Sequence, residues 1–162
     1  MHHHGYLWTG PKSRFDDEAL RRPPYPEPPP PGSRPELVQR YREVSAEFAT
    51  SDLPPIETAH WLLKPAALIR GTWDEPGEAA EWIARQLTAH APRFDSTAER
   101  DPARIAARAA SAAARLAAGG DISLGHYLQR PVFLSLAVLS CGRGPAPCPR
   151  TTGTRTAGTP GA

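Results

Sequence analysis

The sequence predicts a mainly α-helical protein, with three to five helices gathered around one C-terminal apolar segment. Three observations lead there. Apolar residues recur at helical spacing in three stretches, roughly 34–49, 75–90 and 99–118. The longest stretch without a charge, Pro131–Cys141, has about half the length a bilayer span needs, so it belongs in a protein core. The 20 prolines and 13 glycines are concentrated towards the two ends. The 162 residues therefore divide into a disordered Pro-rich arm (1–33), a single helical domain (34–142) and a disordered tail (143–162).

The arm contains Tyr6, Trp8 and Phe15 without a sustained period. It ends in the proline run of residues 21–32, which reads as a stiff linker. Ser33 and Glu36 stand at capping-box spacing, and Leu37, Tyr41, Val44 and Phe48 follow as one stripe of a core helix. Residues 51–71 open on a helix-start signal but are apolar nearly all round and interrupted by Pro65, so a short buried helix is expected. The next helix opens at Pro76 and carries Ala79, Ile83, Leu87 and His90 on one side; Pro92 ends it. Asp101 caps the longest helix and Pro102 opens it, or Ser96 and Glu99 start it one turn earlier as a capping box. Its stripe is Ile105, Ala109, Ala112 and Leu116, with Arg104, Arg108 and Arg115 beside it, and Gly119-Gly120 closes it. Residues 122–129 read as a short turn.

Pro131–Cys141 mixes helix formers with Val, Phe and Cys between Pro131 and Gly142, and is assigned as a strand. A lone buried strand would leave backbone groups unpaired at about 1–3 kcal/mol each. Three outcomes avoid this: the run is a helix, it pairs with residues 61–73, or it adds to an edge of a second copy.

Arginine outnumbers lysine 17 to 2, a bias of GC-rich bacterial genomes. The net charge of +2 is split, −4 over residues 1–99 and +6 over residues 100–162, a pattern that fits a surface for an acidic ligand or, the reading preferred, two halves that attract each other. Met1–His4 lacks the apolar core of a signal peptide, and two cysteines are too few for a disulfide framework, so a cytoplasmic, reduced protein is expected.

No phosphate-cradling glycine loop, nucleophile elbow or His-Glu-x-x-His is present, and no catalytic residue or cofactor is assigned. The leading expectation is a non-catalytic protein–protein interaction or regulatory module, as a homodimer or with a protein partner and without a membrane. A second reading is nucleic-acid binding through Arg104, Arg108, Arg115, Arg143 and Arg150. A third is a zinc site built from Cys141 and Cys148 with His126, His90 being a further candidate ligand. The Cys-x6-Cys spacing is wider than the usual two to four residues. His2–His4 are left out of that set, because such a run also occurs as a purification tag.

Overall fold

The computed structural model describes residues 1–142, 144 and 146–149. In chain order the elements are β1 (His3–Pro11), α1 (Lys12–Phe15), α2 (Glu18–Arg21), α3 (Pro35–Thr50), β2 (Gly71–Trp73), α4 (Pro76–His90), α5 (Pro102–Ala117), β3 (Ile122–Leu128) and β4 (Val132–Ser140). The mainly helical expectation is overturned: this is a mixed α and β fold, built on a four-stranded antiparallel sheet of order β2-β1-β4-β3 among the described residues. The N-terminus is not a disordered arm. Its first eleven residues supply a strand next to the centre of the sheet.

β4 resolves the pairing problem posed by its sequence. It is an inner strand, paired with β1 from His3↔Ser140 to Pro11↔Val132 and with β3 from Ile122↔Val138 to Leu128↔Val132. Both its edges are satisfied within the chain, so no second copy is needed to complete it. The expected turn at 122–129 is instead β3, joined to β4 by a hairpin at Gln129–Pro131.

Strand alternation divides the side chains between two layers. On one face, Leu134, Leu136 and Val138 of β4, with Ile122 and Leu128 of β3, pack against Ile83 and Leu87 of α4 and Ile105, Ala112 and Leu116 of α5. Here the helical stripes at 76–90 and 102–117 are buried as their periodicity requires, and Asp101 caps α5 by accepting from the Ala103 N–H at 3.0 Å. On the other face, Tyr6 stacks on Trp61 at 4.5 Å, and Trp8, Leu53 and Phe133 form a second cluster. The segment covering that face is not an α-helix. It folds as 3-10 turns at Thr58–Leu63 and Ala66–Leu68, because Pro54, Pro55 and Pro65 interrupt any continuous ladder. Gly5 is demanded by close approach: a Cβ there would stand 2.9 Å from the Trp73 ring and 3.0 Å from that of Trp82.

α3 departs from its expected role as a core helix. Of its stripe only Phe48 is buried, whereas Leu37 is 52% exposed. It lies beside the Pro-rich segment, where the Tyr41 hydroxyl donates to the Tyr25 carbonyl. Its C-terminal end is tied down by Lys64, which is buried and donates from Nζ to the carbonyls of Phe48 (2.6 Å) and Ser51 (2.9 Å). A cation bonded to the last carbonyls of a helix also complements its dipole. Burial pulls the Lys64 amine down to about 8 from an ordinary value of 10.5. The folded chain thus holds this proton less tightly than the unfolded chain, and the contribution of Lys64 to stability rises as pH goes from about 8 to about 10.5. In urea melts, Lys64→Met is expected to flatten the dependence of stability on pH across that window. No helix among the described residues is long and apolar enough to cross a membrane.

Candidate metal centre

The register that seats β1 on β4 carries the pairing one residue further, to His2 and Cys141. The Cys141 N–H donates to the His2 carbonyl at 2.9 Å, and the His2 N–H donates to Cys141 Sγ at 3.3 Å. Period-two alternation then puts His2 and His4 on the same side of β1, the side that also carries Tyr6. Gly142 follows with φ of 91°, a left-handed conformation that glycine adopts without strain, and Cys148 lies at this same corner.

Four ligand atoms converge there, one each from His2, His4, Cys141 and Cys148, all within 4.8 Å of one another. Cys141 Sγ and Cys148 Sγ are 3.4 Å apart; His2 Nδ1 is 3.6 Å from both sulfurs; His4 Nε2 is 3.4 Å from Cys148 Sγ. Tetrahedral zinc, with Zn–S of about 2.3 Å and Zn–N of about 2.0–2.1 Å, requires edges of about 3.8 Å between sulfurs and about 3.6 Å from sulfur to nitrogen. These four edges match within a few tenths of an ångström, the remaining two are held within 4.8 Å, and the donor set is two soft thiols with two imidazoles, which suits zinc.

The outer groups fit the same purpose. His4 presents Nε2 to the cluster while its Nδ1 lies 2.9 Å from the Thr72 hydroxyl. His2 presents Nδ1, and its Nε2 lies 3.5 Å from Asp74 Oδ1. The hydrogen bond to Thr72 orients the His4 ring and selects its tautomer, while the outward nitrogen of His2 faces the exposed Asp74 carboxylate at ion-pair distance. Both partners come from β2 and its exit, so the short edge strand serves to position this shell. Cys141 is buried, and burial pushes its thiol up, with Cys148 adding to the rise and the His2 N–H opposing it. A bound cation would reverse that balance and hold both sulfurs as thiolates. Removing an outer partner should weaken the centre without dismantling it. Asp74→Asn and Thr72→Val are each expected to reduce zinc affinity about 10–100-fold in competition with a chromogenic chelator.

The other sequence candidates lie elsewhere. His126, proposed with the cysteines, is on β3, stacked on Phe94 at 4.8 Å with its Nδ1 3.6 Å from Glu99 Oε2. Burial first, then Arg108, lowers its pKa against the opposing pull of Glu99. His90 Nδ1 lies 2.8 Å from the Gln86 carbonyl at the end of α4. Of the arginines, Arg104 and Arg108 both bind Glu99, at 2.9 and 2.6 Å, and Arg115 lines a separate cavity between α5 and β3. Arg143 and Arg150 lie outside the described residues. His3, between the two cluster histidines, faces the opposite way and has Ser140 Oγ 3.0 Å from its Nδ1. The signal that finds the missing ligands is His-x-His in an extended segment, legible only once residues 2–4 are read as structural. Comparisons with protein-family models, with curated proteins and with solved structures give no match, so the centre is defined by its geometry alone.

Proposed function

We propose that this protein is a small non-catalytic domain holding one structural zinc ion in a centre of two cysteines and two histidines. His2, His4, Cys141 and Cys148 are the ligands, and they join the N-terminal strand to the loop after β4. The observation that carries this reading is the doubly supported histidine pair. Four ligating atoms could meet by chance in a small core, but two imidazoles each backed by an outer-sphere acceptor make a built shell. Four protein ligands leave no position open for substrate, which favours a structural over a catalytic ion. A reducing, cytoplasmic setting agrees with this role, since it keeps both thiols available to metal. The wider task we assign to the domain is contact with another protein, for which the exposed Leu37 side of α3 is the observation in favour.

The test is elemental analysis of chain purified by ion exchange, without immobilised metal. One zinc per chain is expected, falling below a tenth in Cys148→Ser. Wild-type chain that retains no zinc after gel filtration, even when refolded with it, rules the centre out.

A further inference from the structure

Resting on that reading, we propose that the two cysteines of the centre have different chemical roles, and that hydrogen peroxide converts them into a disulfide and discharges the ion. The sequence contains two cysteines, so an intramolecular disulfide can join only Cys141 to Cys148. Their sulfurs lie 3.4 Å apart, so a small approach of the two side chains brings them to bonding distance. Their access differs. Cys141 is 2% exposed at the end of the central strand, whereas Cys148 is half-buried on the returning loop. A reactive sulfur that solvent can reach, next to a shielded one that can resolve it, is the arrangement redox-sensing cysteines require.

The Cys148 thiolate attacks one peroxide oxygen, the O–O bond breaks, and hydroxide leaves, giving a sulfenic acid. The Cys141 thiolate attacks the Cys148 sulfur, the S–S bond forms, the S–O bond breaks, and a second hydroxide leaves. Two electrons pass from the sulfur pair to the peroxide, and two protons from solvent convert the hydroxides to water. Both thiolates are consumed in a single two-electron event. His2 and His4 remain, and two neutral imidazoles do not hold zinc at structural affinity. A centre made of four cysteines would keep two thiolates after the same event. The pairing of two thiolates with two imidazoles therefore makes release all-or-none. The outcome exchanges one tie for another: the ion joins β1 to the loop, the disulfide joins the loop to β4.

The experiment treats zinc-loaded full-length chain with one to a few equivalents of hydrogen peroxide, following zinc with a chromogenic chelator and the protein by intact mass. Zinc release should coincide with a loss of about 2 Da, and a dithiol plus zinc should restore the starting state. Cys141→Ser, treated without metal, should stop at a Cys148 sulfenic acid, about 16 Da heavier and trapped by dimedone. Cys148→Ser should react at least tenfold more slowly. The proposal is overturned if zinc stays while thiols oxidise, if mass shows over-oxidation without the disulfide, or if Cys148→Ser reacts as fast as Cys141→Ser. Failure of the chain to bind zinc at all would instead sink the metal reading. The metal-free mass measurements would then still decide the order of the two cysteines.

Discussion

Zinc at about a thousandfold over its Kd is expected to raise the unfolding free energy of the metal-free chain by about 4 kcal/mol. For a chain of 162 residues this corresponds to a rise in Tm of about 8–16 °C. The reason is mass action: the four ligands are assembled in the folded chain and scattered in the unfolded one, where His2 and Cys148 are separated by 145 intervening residues. Residual binding of zinc to the unfolded chain would lower the figure. Cys148→Ser isolates the effect. Its side chain lies on the loop beyond the sheet, so the metal-free variant should match the metal-free wild type within about 0.5 kcal/mol while the zinc-dependent rise disappears. His4→Gln should also abolish the rise but start lower, because His4 is fully buried and its Nδ1 is 2.9 Å from the Thr72 hydroxyl. An equal rise in wild type and Cys148→Ser would place the metal elsewhere.

Leu136→Ala is expected to cost about 2–5 kcal/mol in a urea melt, with zinc absent throughout. Leu136 is fully buried at the middle of β4, opposite Leu7 of β1 and Leu124 of β3, and its side chain lies in the layer shared with α4 and α5. Truncation there removes apolar contacts and leaves a cavity that four elements would have to collapse to fill. Leu37→Ala provides the contrast. The same chemical change on the outer stripe of α3 is expected to stay within about 0.5 kcal/mol, because that leucine is half exposed in the folded chain. Similar losses at the two positions would mean that α3 is packed as its sequence first implies. The pair thus measures which apolar stripes are core.

Comparing those two leucines shows where sequence reading succeeded and failed. The stripes on α3 and α4 are built alike, yet α4 packs on the sheet and α3 stands off. Periodicity reports that a helix has an apolar side, not what meets it. The hairpin β3–β4 was partly legible: Ile122, Leu124, His126 and Leu128 alternate with polar or small residues, which is the period of a half-buried strand. In the fold, Gly125 makes room for the Phe133 ring, 2.6 Å from where a Cβ would stand. β1 offered less. Gly5, Gly10 and Pro11 have poor strand character in isolation, and what makes the segment a strand is the edge of β4.

Local sequence was enough to set the extents of α3, α4 and α5 to within about one turn, the cap on α5, and the placement of Pro131–Cys141 at the centre of the core. These are matters of side chains three or four apart and of prolines and glycines whose backbone limits hold anywhere. Long-range pairing was needed for the sheet, the exposure of α3 and the metal centre. The centre in particular depends on a register between segments far apart in the chain: His2 meets Cys141 because β1 and β4 pair antiparallel with His3 opposite Ser140. A shift of one residue would turn His2 and His4 to the helix layer and scatter the ligands, so His-x-His at the N-terminus and Cys-x6-Cys at the other end could not be joined into one site from sequence spacing.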